Sequence, residues 1–427
     1  MDFLLENGVV YQAGKLQKMD LLVQNGVITA FGQNLGQLLE DTKKIDVSNK
    51  LVSPGLVDVH VHYREPGFTY KETIKTGSQA AAHGGFTTVC AMPNLNPVPD
   101  TAERLANVIA KNESDGVVHI KQYAAITAGL KSEQINDLAA LKDAGAFAFS
   151  NDGSGIQTAG VMYQAMKQAA DLEMPLVEHI EDNSLLYGGV MNEGRRAHEL
   201  GLPGMLGLSE SSQLARDLIL AQKTGVHYHA CHLSTKESVE LMRLAKSKGV
   251  NVTCEVAPHH LLLSDEDIPA DDAYFKMNPP LRDEKDKAAL LAGLLDGTID
   301  MIATDHAPHS HEEKTGGMCQ ASFGITGSET AFTLLYTHFV KSGKLTLEKL
   351  LDKMSSEPAK AFRMKSAGEL LIGRPADIAV FDLDTEYELK EEEYFSKGTN
   401  TPFTGEKVYG KTIMTFVAGE LVYQKED

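Results

Sequence analysis

From about residue 54 to about residue 368, short strand-like apolar runs alternate with helical stretches, and few architectures accept that rhythm. A run at 87–91 precedes a helical stretch at 101–111, a run at 146–150 precedes one at 159–171, and a helical 285–295 leads into a run at 301–304. Parallel strands need a crossover of a dozen or more residues, usually a helix, so this order predicts an α/β fold with a parallel sheet. The span suits one (β/α)8 TIM-like barrel, typically about 250 residues before insertions. Periodicity alone does not separate a closed barrel from an open doubly wound sheet; the chemistry placed at the strand ends favours the barrel.

Both ends of the chain read differently. Gly8-Val9-Val10-Tyr11, then Asp20-Leu21-Leu22-Val23 before Asn25-Gly26, then Val27-Ile28-Thr29-Ala30-Phe31 before Gly32 are short apolar runs broken by turn residues, the mark of β-hairpins. Residues 376–381 are strand-like, and 412–417 followed by Ala418-Gly419 and 420–423 predicts a terminal hairpin. We therefore expect the two all-β ends, 1–53 and 369–427, to meet as one small domain beside an α/β region at 54–368.

Lys and Arg total 40 against 59 Asp and Glu, a net charge of −19, which repels nucleic acid in the absence of a local basic patch. No apolar run approaches the roughly 18 to 20 residues of a membrane span. The first residues lack the basic start and apolar stretch of a secretory signal, so a cytoplasmic location is expected. Cys90, Cys231, Cys254 and Cys319 are scattered without a C-x-x-C pair, which predicts reduced thiols rather than a disulfide framework or a cysteine zinc site.

The strongest local signal is Pro54-Gly55-Leu56-Val57-Asp58-Val59-His60-Val61-His62-Tyr63-Arg64-Glu65-Pro66-Gly67. Side chains two apart on a strand share a face, so His60 and His62 can converge on one ion, and imidazole suits zinc. A bare H-x-H is more often a strand with a polar face; the Pro-Gly entry and the Arg-Glu-Pro-Gly exit reverse that balance. Asp152, His179, His232 and Asp305 each follow an apolar run. In a barrel the C-terminal ends of all strands open on one face, so groups distant in sequence meet there. His227 and His229 form a second H-x-H that spacing cannot rank below His232. His259 and His260 could orient ligands, whereas His83, His119, His198 and His338 suit surface or packing roles. There is no G-x-S-x-G elbow, phosphate loop or H-E-x-x-H helix. The stretch from Ser310 to Gly317 reads as a mobile loop near the mouth.

Taken with Met92-Pro93-Asn94, Phe149-Ser150-Asn151-Asp152-Gly153, Glu178-His179, Cys231-His232-Leu233-Ser234-Thr235, Met277-Asn278-Pro279-Pro280-Leu281-Arg282 and Ala303-Thr304-Asp305-His306-Ala307-Pro308-His309, the chain resembles the amidohydrolase superfamily over nearly its whole length. Within it the resemblance is to bacterial class I dihydroorotases, and it implies a composite β-sandwich domain from 1–53 and 369–427 beside a metal-dependent hydrolase (β/α)8 barrel at 54–368. That resemblance implies reversible zinc-dependent hydrolysis of (S)-dihydroorotate to N-carbamoyl-L-aspartate in pyrimidine (UMP) biosynthesis. It implies two Zn(2+) per subunit, with His60, His62 and Asp305 on one ion, His179 and His232 on the other, and Asp152 bridging. It implies substrate contacts from His62, Arg64, Asn94, Asn278, His309, Phe323 and Gly324, and Asp305 as the catalytic proton carrier. A guanidinium can donate two parallel hydrogen bonds, which makes Arg64 the natural partner of the ring carboxylate. Hydantoinases and allantoinases carry a carbamylated lysine within the strand that here reads Gly145-Ala146-Phe147-Ala148-Phe149-Ser150, and no lysine lies there. Asn151 stands where the class often shows a second aspartate. The alternatives are an allantoinase or dihydropyrimidinase acting on a neutral cyclic ureide, and a silent homologue serving as a scaffold for aspartate transcarbamoylase. The expected partner is the small-molecule substrate, with no nucleic acid and no membrane; a homodimer and an association with aspartate transcarbamoylase stay open.

Overall fold

The computed structural model describes residues 2–37 and 42–425. Strands from both ends of the chain share one sheet, in the order Glu420–Gln424, Lys411–Val417, Ile378–Asp382, Leu51–Pro54, Phe3–Gln12, Lys15–Gln24, Val27–Gly32, with Lys43–Asp46 also pairing with Phe3–Gln12. The turns that shape it are legible in the sequence. Asn25 and Gly26 adopt φ of 52° and 76°, and Ala418 and Gly419 φ of 47° and 78°, as a two-residue hairpin with right-handed strand twist requires. The two turns also meet: a Cβ on Gly26 would lie 2.5 Å from the Ala418 carbonyl oxygen.

Strand periodicity then decides what each face packs on. In Ile378–Asp382, Ile378 and Val380 join Phe3, Leu21, Val52 and Phe416 in a core belonging to this sheet. Ala379 and Phe381 turn the other way, into the main core. Residues 384–410 leave the sheet: Tyr387–Glu388 pairs with Lys407–Val408, and Thr333 on helix Ala331–Leu335 bonds the Tyr409 carbonyl and the Tyr387 hydroxyl.

The central region is α/β, and its strands pair in parallel, with one antiparallel bridge, Thr127 to Ile135, outside them. Leu56–Val61, Phe86–Ala91 and His119–Gln122 form one sheet. Ala124–Ala125, Phe149–Ser150, Leu176–Glu178, Tyr228–Ala230, Val252–Val256 and Met301–Ile302 form the next. Only Tyr123 separates His119–Gln122 from Ala124–Ala125, and at the far side His306 makes a parallel bridge to Val61. Helices start where the sequence offers caps: Thr73, Thr101, Asp137, Thr235 and Asp283 each accept a first-turn backbone N–H, a contribution of about 1 kcal/mol apiece. Their inner faces follow the helical repeat, as with buried Met162, Ala165, Met166 and Ala169 in Ala159–Asp171. Two predicted strands come out shorter, Phe149–Ser150 for 146–150 and Met301–Ile302 for 301–304. In the second, the amide and hydroxyl of Thr304 donate to the Asp58 carboxylate rather than to strand backbone. Among the described residues no helix is long and apolar enough to cross a membrane.

Candidate metal centre and substrate cleft

The groups carried at the C-terminal ends of the parallel strands meet. His60, His62 and Asp305 place their ligating atoms within 4.8 Å of one another, and Asp152, His179 and His232 do the same. Asp152 stands between the two sets, its Oδ1 3.3 Å from His60 Nε2 and 3.9 Å from both His179 Nδ1 and His232 Nε2, its Oδ2 3.5 Å from His62 Nε2. Asp305 Oδ1 lies 3.1 Å from His62 Nε2 and 3.4 Å from His60 Nε2.

The partners of the other ring nitrogens tell what this cluster is for. His60 Nδ1–H donates to Glu255 Oε1 at 2.6 Å, and His62 Nδ1–H to Asn94 Oδ1 at 2.9 Å. With neutral rings both Nε2 lone pairs would point at carboxylate oxygens, acceptor against acceptor, so this buried site requires a positive charge between them, a proton or a metal ion. Among the described residues His60 Nε2 and Asp152 Oδ1 have no hydrogen-bond partner. Burying such atoms unpaired is costly, and a cation between them removes the conflict. Imidazole and carboxylate donors in this mix suit a zinc-type ion. Burial pushes the Glu255 carboxyl up, but the His60 and His229 imidazoles outweigh it and hold it at about 2. Burial likewise raises Asp305, and His60 and His62 bring it well below the usual carboxylate range.

A cleft of about 200 Å³ opens over the cluster, lined by Asp152, His179, His232 and Asp305 together with His62, Arg64, Asn94, Asn278, His309, Phe323 and Gly324. Every residue assigned to the site from sequence lines it except His60, which is wholly buried beneath; Gly153 and Ala307 complete the lining. Arg64 Nε donates to the Pro308 carbonyl at 3.2 Å, which leaves the two Nη nitrogens for a ligand. His309 Nε2 is 2.8 Å from the Phe323 carbonyl and 3.4 Å from Arg64 Nη2, so its proton is assigned to the shorter contact. Its Nδ1 lies 3.2 Å from Glu313 Oε2, while burial and the Arg64 charge push the imidazole down to about 3. Backbone strain gathers here: Arg64, His232 and Asp305 adopt φ of 59°, 29° and 49°, a left-handed conformation that costs a side-chain-bearing residue roughly 1–2 kcal/mol.

A sequence model of the Dihydro-orotase-like family matches residues 49–238. A dihydroorotase of Ligilactobacillus salivarius is 67% identical over 428 residues, covering 100% of both chains. The chain belongs to the dihydroorotase family. A second member, from Lactobacillus leichmannii, is 61% identical over 100% of this chain and 99% of its own. Among solved structures, the L-hydantoinase (dihydropyrimidinase) of Arthrobacter aurescens superposes with a TM-score of 0.91 at 26% identity, covering 100% of this chain and 97% of that one.

Several residues that shape the site gave no sequence signal. Glu255, inside an apolar run, holds His60 through one oxygen and His229 through the other, at 3.0 Å, and accepts the His232 amide at 3.2 Å. His229 is thus a partner of Glu255 rather than a lining residue, and His227 bonds Thr253. Glu181 takes the Asn278 amide at 2.6 Å and lies 3.6 Å from His179. His260 bonds the Pro279 carbonyl, away from the ligands. Asn151 points away from the cleft: its oxygen accepts the amides of Ile126 and Thr127, and its nitrogen donates to Thr127 Oγ1 and the Leu130 carbonyl. An aspartate there would lose both donated bonds, a physical reason for the amide. The stretch 310–317 carries a helical turn at Glu312–Lys314. Burial pushes the Lys314 ammonium down to about 7, while it donates to the carbonyls of Lys276, Ser322 and Gly324 and so anchors the segment. His83, His119, His198 and His338 each pair with a carboxylate outside the cleft.

Proposed function

We propose that this member of the family reversibly hydrolyses the ring amide of (S)-dihydroorotate to N-carbamoyl-L-aspartate in pyrimidine biosynthesis. The observation that carries the reading is one cleft holding both a buried arginine with two free Nη nitrogens and a histidine–carboxylate cluster that demands a cation. The eight parallel strand positions, joined at Tyr123 and at the Val61–His306 bridge, support a closed (β/α)8 barrel at 54–368. The shared sheet supports a composite domain from 1–53 and 369–427.

We assign His60, His62 and Asp305 to one zinc, His179 and His232 to a second, and Asp152 to both. When bound, such ions supply Lewis acidity, polarising the amide carbonyl and making water acidic enough to attack at neutral pH. Arg64 binds the ring carboxylate end-on through its Nη pair. His309, Asn94, Asn278, Phe323 and Gly324 orient the ring. Asp305, ionised beside the cleft, takes the proton of the attacking water and returns it to the departing ring nitrogen; cyclisation starts with Asp305 protonated. Four free cysteines, three of them buried, support the cytoplasm. A homodimer, or a contact with aspartate transcarbamoylase, would have the exposed Tyr187, Leu208 and Ile219 to cover.

A neutral cyclic ureide is the competing substrate, given the hydantoinase-like fold. Arg64 weighs against it, as does the absence of lysine from the strand ending at Ser150. Zinc-loaded protein should turn over dihydroorotate and leave dihydrouracil and allantoin intact; turnover of the neutral rings alone would refute the assignment, and no turnover with full zinc would favour the scaffold.

A further inference from the structure

The segment that leaves the terminal sheet at 384–410 reaches the mouth of the cleft, and Asn400 on it is 2% exposed. The Asn400 side chain directs three hydrogen bonds at the cleft wall. Its oxygen accepts the His309 amide at 3.0 Å, and its nitrogen donates to the carbonyls of Ala307 at 3.2 Å and Gly324 at 3.0 Å. Its own carbonyl accepts the Thr326 amide at 3.0 Å. One neutral amide thus ties two stretches of wall, 307–309 and 324–326, to each other.

Asn400 does not line the cleft and has no proton to exchange, so it does not act on the ring directly. What it holds is the support of Arg64. The Arg64 Nε–H is bound by the Pro308 carbonyl, between the two residues that Asn400 pins. The fit is close from behind as well: a Cβ on Gly398 would lie 2.7 Å from Pro308 Cβ and 2.9 Å from the His309 amide. On the opposite side Gly324, at φ 128°, packs so tightly that a Cβ would lie 2.7 Å from Ala307 Cβ.

We infer that Asn400 is a positioning residue for carboxylate recognition, setting the 307–309 segment so that Arg64 presents its Nη pair to the anionic ring. The inference rests on the proposed function. It follows that Asn400 governs substrate binding rather than the chemical step, and that its effect passes through Arg64. Residues that act through one another are non-additive when both are changed, and loss of binding common to substrate and transition state raises KM with kcat unchanged.

The test measures kcat, KM and zinc per chain for wild type, Asn400→Ala, Arg64→Met and the double variant, with dihydroorotate. Asn400→Ala should raise KM about tenfold with kcat within about threefold and zinc content unchanged. In the Arg64→Met background the same substitution should lower kcat/KM by less than about twofold. Should Asn400→Ala not fold, Asn400→Ser, which keeps one oxygen, carries the test with a smaller rise in KM. An unchanged KM, a fall in kcat matching the rise in KM, or fully multiplicative losses in the double variant overturn the inference while leaving the proposed function standing. No wild-type turnover overturns both.

Discussion

Replacing Glu255 by glutamine tests the claim that the buried acceptor conflict at His60 exists to hold a cation. Glu255 is 1% exposed and receives three hydrogen bonds, from His60 Nδ1 at 2.6 Å, the His232 amide at 3.2 Å and His229 Nε2 at 3.0 Å. Glutamine has one acceptor oxygen. Kept toward His60 it preserves two of the bonds, and its NH2 then meets His229, which can answer by moving its proton to Nδ1, 2.8 Å from Thr253 Oγ1. The network survives in outline; the negative charge does not. A hydrogen bond to an ion is worth about 1.5–3 kcal/mol against about 1 for a neutral one, so His60 loses roughly 1–2 kcal/mol of the polarisation that makes its Nε2 a strong donor. We therefore expect metal affinity to fall by about 10- to 100-fold, the usual size for a residue that orients a ligand. The assay is zinc titration against a competing chelator, with urea unfolding of the metal-free protein alongside. Glu255→Gln binding zinc within about threefold of wild type, or losing affinity only in proportion to metal-free stability, would refute the reasoning.

Asp152→Ala should empty or cripple the two-ion site, whereas Asp305→Asn, keeping an oxygen, should retain much of its metal and lose about 10²- to 10⁴-fold or more in turnover; elemental analysis with kcat at one pH checks both, and the reverse pattern exchanges their roles. Arg64→Lys should keep metal but raise KM for dihydroorotate, because a point charge does not reproduce paired guanidinium donors; an unchanged KM removes Arg64 from the carboxylate. Asp382 is paired with Lys50 at 2.8 Å across the junction of the two chain ends; burial raises its carboxyl, but Lys50 and the amides and hydroxyl of 384–385 bring it to about 2. Its folded value lies below its unfolded one, so its stabilisation is present above the unfolded value and is lost as pH falls through about 2. With Lys50 a third exposed, we expect Asp382→Asn to cost about 1 kcal/mol at pH 7, a gap that urea melts should show closing toward acid; a gap constant with pH would remove the ion pair as its cause.

The readable parts of this chain are those whose physics is local. Asn25-Gly26 announces its hairpin because Asn and Gly accept left-handed backbone, and both are found there; at Ala418-Gly419 the glycine carries the signal and Ala418 takes a strained φ of 47°. His60 and His62 declare themselves through a two-residue repeat, and Asp152, His179, His232 and Asp305 because parallel strands deliver their ends to one face. What stayed hidden depends on partners far along the chain. Glu255 looks like a polar interruption of a strand until His60, 195 residues earlier, is seen against it. Lys314 sits in a stretch of charged residues and glycines that reads as loop, and only the convergence of three carbonyls explains why it is buried. Asn400 lies in a polar stretch 91 residues beyond the amide it receives.

The sheet shared by both ends also imposes an order on synthesis. Leu51–Pro54, near the start, has Ile378–Asp382 as one of its two neighbours, and the Phe3 ring stacks on that of Phe416. Strands made first must wait for a partner made last, a contact of the long-range kind that slows folding. All six assigned metal ligands are translated by residue 305, but the brace at Asn400 leaves the ribosome almost a hundred residues later. A nascent or truncated chain that ends short of it holds every residue needed to gather zinc, without the part that sets the arginine toward its anion.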